Sequence, residues 1–219
     1  EYPQDWLTTP LENTTDSPGN KQASWRTDPS KAGAGGCIGD IGSHAFNLAD
    51  FILGIELEEL CADLSSFISG RKNDDNAHVL LRYKNNVKGM LWSSQVAPGN
   101  ENALKIRVYG TKGAVEWFQD DPNHLKFTEL NKSTKIITRA NNEVSNFSLE
   151  SSRLAAGHPE GFFEAFANIY TEFADTISGY RKQKNKKFKF PTVEDGVKGM
   201  KFIFSAKKSS NNNARWIKL

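Results

Sequence analysis

Asp40 and His44 stand four residues apart in GGCIGDIGSHAFNLADFILG, residues 35–54. On a helix they lie on the same side, one turn above the other. The helix dipole favours a carboxylate in the first turn. A carboxylate beside an imidazole can orient the ring and raise its basicity, which suits proton transfer. The same two residues also fit a structural role, an Asp that caps the helix and a His satisfied in the core, and the residues alone leave both open. The surrounding glycines raise a third idea, a phosphate-cradling loop. Gly33, Gly35, Gly36 and Gly39 do not have G-x-G-x-x-G spacing, and the preceding WRTDPSKA is not a buried strand. No Walker pattern occurs elsewhere. The chain is expected to have no nucleotide site of its own, and the glycines to let backbone pass closely at the mouth of a helix.

The elements that must hold this pair follow from periodicity. Residues 9–35 are rich in Pro, Gly, Ser and Asp and read as a long loop. Ile41, Ala45, Leu48 and Ile52 then form one apolar helical face, with Gly54 as the stop. Seven short segments follow: LCADLSSFIS, AHVLLRYK, VKGMLWSSQ, LKIRVYG, AVEWFQ, HLKFTEL and TKIITR. Several alternate apolar with polar, and Asn85-Asn86 and Thr111-Lys112-Gly113 sit where hairpin turns belong. Consecutive strands joined by short turns imply an antiparallel sheet, because parallel neighbours need long crossovers.

Two helices close the chain. Phe162, Phe166, Ile169, Phe173 and Ile177 make an apolar stripe after His158-Pro159. Thr192, with Asp195 three residues on, caps a second helix whose Val197, Met200 and Ile203 face inward. The run RKQKNKKFKF between them reads as a solvated basic loop. The expected fold is α+β: one domain over residues 1–219, with a large, mostly antiparallel open sheet and helices covering one face.

The composition fits that architecture. Hydrophobic residues make up 37% of the 219, and the formal charge of +2 is too balanced to argue for nucleic acid. No apolar run approaches the roughly 18 residues of a membrane span. EYPQDWLTTP lacks the regions of a signal peptide and opens directly on what reads as a strand, as a processed chain or an excised fragment would. Cys37 and Cys61 form neither a disulfide framework nor a metal-ligand cluster. They read as reduced thiols, so no metal site is expected and a cytoplasmic location fits. His78 and His124 fall in strand or turn contexts without partners and are assigned no chemistry.

WRTDPSKAGAGGCIGDIGSHAFNLADFILG resembles the core motif of the C-terminal domain of the glucose-fructose oxidoreductase / inositol dehydrogenase / MocA family: an aromatic-Arg loop, a glycine run, then Asp-x-Gly-x-His opening a helix. The similarity continues in order through VYGTKGAVEWF, GHPEGFFEAFANIYTEFADTI and FPTVEDGVKGMKFI. The resemblance implies a nicotinamide-dependent oxidoreductase acting on sugars, cyclitols and related polyols. It also implies an N-terminal Rossmann domain ahead of a C-terminal α+β domain, and this chain looks like the second alone. NAD or NADP would then belong to the full-length enzyme, with neither expected on this chain.

The resemblance maps the family's catalytic Asp and His onto Asp40 and His44, the His taking a proton from the substrate hydroxyl and the Asp orienting it. The family's catalytic Lys follows a Glu and precedes a Pro in the Rossmann domain. No Glu-Lys-Pro occurs here, so the isolated chain is expected to be inactive. Trp25 and Arg26 carry over as the loop that approaches substrate, Arg26 donating to sugar oxygens or pairing with Asp28 or Asp40. Trp6 would stack on a sugar face or sit in the core. His158, in GHPEG, would lie near substrate or serve a hydrogen bond at the helix start. A homo-oligomer joined through the sheet is expected, since its strands carry Trp92, Val108 and Trp117. The alternative is a non-catalytic carbohydrate-binding or scaffold domain of the same descent.

Overall fold

Alternation along residues 76–83 decides which side of the sheet is inside. Ala77, Val79, Leu81 and Tyr83 are buried while His78 and Leu80 face out, the period-2 pattern of a half-buried strand. In the computed structural model, residues 1–9, 23–179 and 190–219 are described. The described chain forms two compact units, one of residues 1–106 and 197–219 and the other of residues 107–196.

The first unit holds a five-stranded sheet of order β1-β4-β3-β2-β9. Its strands are β1 (Tyr2–Pro3), β2 (Leu57–Ser65), β3 (Asn76–Tyr83), β4 (Lys88–Ser94) and β9 (Ile217–Lys218). All neighbours are antiparallel except β1, which runs parallel to β4 with Tyr2 opposite Ser93. β3 and β4 meet at Asn85 and Asn86, both with φ near +60° (59° and 58°), as a tight hairpin turn requires. β9, two residues long, carries no periodic signal and was not anticipated.

One face of this sheet is covered. Helix α1 (Pro29–Ala32) lies within the stretch read as loop; Asp28 caps it by accepting the Ser30 amide, and Pro29 occupies its first turn. A single widened π turn, Ile38–Gly42, leads into α2 (Ser43–Leu53), which ends at left-handed Gly54. The widened turn re-phases the helix. Ile41 and Ala45 face inward as expected, but Phe46 and Leu53 complete the face, Leu48 is half-buried and Ile52 is exposed. Phe46 stacks on Phe202 of the last helix, rings 4.4 Å apart.

That helix is α5 (Val193–Ser210); at its start Thr192 donates both its N–H and its hydroxyl to Asp195 Oδ2, so the Asp195 carboxylate reaches back to the threonine. Its inward face differs from expectation. Ile203 is buried with Phe202, Ala206 and Ser209, whereas Val197 and Met200 are exposed. Only the later turns lie against the sheet, where Ser209 and Ser210 accept the Ala62 and Leu64 amides of β2.

A second sheet, of order β5-β6-β7-β8, has β5 (Lys105–Tyr109) entering from the first unit, then β6 (Gly113–Phe118), β7 (His124–Glu129) and β8 (Lys135–Thr138), antiparallel from β6 onward. The second unit also holds helices α3 (Asn146–Ser151) and α4 (Phe162–Ile177). The strands therefore lie in two hydrogen-bonded sheets rather than one. The apolar stripe of α4 exists, but Phe162, Phe166, Ile169, Phe173 and Ile177 are all exposed. No described apolar side chain between residues 107 and 196 is buried. The basic run lies, but for Phe190, outside the described residues.

Candidate active site

The glycine loop reaches the π turn with its amides already engaged. Gly36 N–H donates to Asp74 Oδ1 at 2.8 Å, Ile38 N–H to Asp74 Oδ2 at 2.7 Å and Cys37 N–H to the Asp74 carbonyl at 2.8 Å. A phosphate cradle needs such amides free, so these residues do not fit a dinucleotide here. The glycine at 36 has a different cause. A Cβ there would lie 2.1 Å from the Asp74 carbonyl oxygen, so only glycine permits the approach.

Asp40 sits in the π turn with one carboxylate oxygen doubly engaged. Oδ2 accepts Arg26 Nε at 2.9 Å and Gln95 Nε2 at 2.8 Å. The Arg26 ion pair is thus with Asp40, while Asp28 caps α1 and pairs with Lys31 at 3.6 Å. The Arg26 guanidinium also lies 4.3 Å from the Trp25 ring centroid and 5.7 Å from that of Trp6, a cation–π arrangement. Trp6 and Trp25 are 37% and 41% exposed, so neither indole is a core residue.

His44 opens α2 and is exposed. No hydrogen bond joins it to Asp40; its ring instead meets Tyr2 edge-on, centroids 6.2 Å apart. Tyr2 Oη donates to Asn102 Oδ1 at 2.6 Å, and Gln4 Nε2 donates to the same oxygen at 2.6 Å. Trp6 Nε1 in turn donates to Gln4 Oε1 at 2.8 Å. Contacts therefore run from His44 through Tyr2, Asn102, Gln4, Trp6 and Arg26 to Asp40. The structure brings together five of the candidates, Trp6, Trp25, Arg26, Asp40 and His44. It adds Tyr2, Gln4, Gln95 and Asn102, which sequence reasoning missed. Gln4 and Gln95 are buried polar side chains, and no local pattern marks them.

His158 belongs to the second unit. It is exposed, with Nδ1 3.3 Å from the Ala155 carbonyl. Its loop is held by Arg139, which donates to the Leu154 and Ala155 carbonyls and to the His158 carbonyl, and which pairs with Glu160 at 3.0 Å. His78 and His124, expected to be without partners, have them: His78 contacts Asn76 at 3.2 Å and stacks on Trp92, and His124 meets Asp121 at 2.6 Å. Asn76 lies two residues before His78 on β3, strand pairing sets Trp92 opposite it, and a turn supplies Asp121 to His124. Among the described residues no group of three or more His, Cys, Asp or Glu could hold a metal ion, and no helix is long and apolar enough to cross a membrane.

Residues 8–116 match the GFO/IDH/MocA C-terminal domain. The uncharacterized oxidoreductase YfiI of Bacillus subtilis (strain 168) is 30% identical over 198 residues, 88% of this chain and 50% of that protein. An oxidoreductase from Sinorhizobium meliloti superposes with a TM-score of 0.84 at 46% identity, over 99% of this chain and 55% of its own. The inositol dehydrogenase homolog from Azotobacter vinelandii superposes at 0.91 with 28% identity in its NAD+ complex, over 100% and 56% of the two chains. Its complex with NADH and myo-inositol gives 0.87 and 26%, over 100% and 55%. The chain spans about half the length of the curated relatives it matches. With a C-terminal-domain match over residues 8–116 and superposition of essentially the whole chain on about half of each of these solved structures, the chain belongs to the GFO/IDH/MocA oxidoreductase family.

Proposed function

We propose that this chain is the substrate-binding half of an NAD(P)-dependent oxidoreductase that moves hydride between a sugar or cyclitol hydroxyl and a nicotinamide. The observation that carries the reading is His44, an imidazole held at the surface with no side chain hydrogen-bonded to its ring among the described residues. Such a ring is available to a substrate hydroxyl. His44 takes the hydroxyl proton as the carbinol carbon gives up its hydride and the oxygen becomes a carbonyl. The nicotinamide, bound by a nucleotide-binding half, supplies the hydride acceptor. Asp40, held by Arg26 and Gln95 one helical turn before His44, takes the orienting place through the backbone turn they share rather than through a hydrogen bond to the ring. Trp6 and Trp25 offer exposed ring faces to the apolar face of a sugar. Arg26 contributes donors.

A homo-oligomer joined through the outer face of the five-stranded sheet is part of the same proposal. Leu80 and Met90 stand directly opposite each other there and are 52% and 72% exposed, beside Trp92.

The test is turnover of the complete oxidoreductase reading frame against cyclitols and aldoses, beginning with myo-inositol, with NAD+ and NADP+. Polyol-dependent reduction is expected, and His44→Ala should lower turnover by roughly two to four orders of magnitude with a smaller change in KM. Wild-type turnover in His44→Ala removes the reading. Polyol binding without turnover favours the non-catalytic alternative.

A further inference from the structure

Three consecutive residues hold the backbone of Arg26, of Gln95 and of the loop leading to Asp40. Asn73, buried, donates its Nδ2 to the Arg26 carbonyl at 3.1 Å. Asp74 takes the amides of Gly36, Cys37 and Ile38, on the way into the turn that bears Asp40. Asp75 accepts the Gln95 amide through its carbonyl at 2.8 Å. Its own carboxylate, fully buried, is occupied elsewhere, by the Phe67 amide at 2.9 Å, the Ile68 amide at 3.1 Å and Arg71 at 3.4 Å. Arg26, Asp40 and Gln95 come from three separate stretches of chain, yet all three are anchored to residues 73–75.

Within that segment Asp74 has the most exacting part. Its two carboxylate oxygens meet two N–H donors two residues apart, at the point where an ordinary helix start would leave both amides unpaired. An amide side chain could satisfy one of them, but its NH2 would then face the other donor. A shorter or longer side chain would move the turn. The burial of this carboxylate disfavours its charge, while the Ile38 and Gly36 amides favour it.

Resting on the reading of His44 as proton acceptor, we propose that Asp74 is a positioning residue: its carboxylate clamps the glycine loop onto the start of β3 and so sets the π turn that presents Asp40 and His44. It touches no substrate.

Two measurements test this. In the complete enzyme, Asp74→Asn should lower kcat about tenfold or more with KM within about threefold. In a His44→Ala background the same change should cost little further, because both act on one step. Losses that multiply independently overturn the proposal, as does an unchanged kcat per folded molecule. In this chain, hydrogen exchange of the Gly36 and Ile38 amides should quicken by about tenfold or more in Asp74→Asn, while the β2–β3 ladder keeps its protection. Unchanged exchange at both amides overturns the clamp even if the chain proves inactive. A His44→Ala enzyme of full activity instead overturns the proton-acceptor reading, and the exchange result still decides the clamp.

Discussion

Gln95 Nε2 donates to Asp40 Oδ2 at 2.8 Å across a sequence separation of 55 residues. The glutamine stands just past β4 and is 2% exposed, so a neutral, desolvated amide shares with Arg26 the task of fixing the carboxylate. A charge-assisted hydrogen bond of this kind contributes more than a neutral one.

Gln95→Leu keeps the volume and removes the donor. It should cost about 1–3 kcal/mol in urea unfolding of the chain, the range for a lost bond to a charged group. Gln95→Glu should cost more near neutral pH, because it sets a second carboxylate against Asp40, and should recover as pH falls and one of the two takes a proton. Equal stabilities of the two variants at pH 7 would contradict the contact.

The chain should not bind NADH or NADPH with micromolar affinity. The amides of Gly36, Cys37 and Ile38 are committed to Asp74, and no other glycine loop has the dinucleotide spacing. Titration calorimetry checks this, and a saturable isotherm would count against it.

Asp74 should make the chain less stable as pH rises through the acid range. Burial raises its carboxyl above the ordinary value of 3.8, despite the opposing amides of Ile38 and Gly36. In the window between that ordinary value and the raised one the native state holds a proton that the unfolded chain has released. Stability from this group is therefore fully present below the window and lost across it. The urea midpoint of the wild type, minus that of Asp74→Asn, should fall as pH rises from about 4 towards neutrality and then level off. A difference that rises with pH would reverse the assignment.

Met90→Lys should favour the monomer. Met90 and Leu80 form a directly opposed apolar pair on the outer face of the five-stranded sheet, and a lysine there would bring a charge into any sheet-to-sheet contact. Light scattering should report an oligomer for the wild type at high concentration and a smaller species for the variant. A monomeric wild type would remove that part of the proposal.

Local pattern determined much of this protein. Short segments, several of them alternating, placed the seven strands 57–65 to 135–138, and Asn85-Asn86 placed a turn with two left-handed residues. Gly54 stopped α2 where its left-handed geometry was needed, and the order of motifs identified the family. Those features rest on interactions a few residues apart, so composition and period reveal them. The widened turn at Ile38–Gly42 shifted the inner face of α2 to Phe46, and only packing on Phe202 decided that. The sequence put Asp40 beside His44 by helical spacing, but the fold gave Asp40 to Arg26 and Gln95 and left the His44 ring against Tyr2. Asp74, Gln95, Gln4 and Asn102 carry no period and no motif. Their roles arise from hydrogen bonds between segments tens of residues apart, which exist only once the sheet brings those segments together.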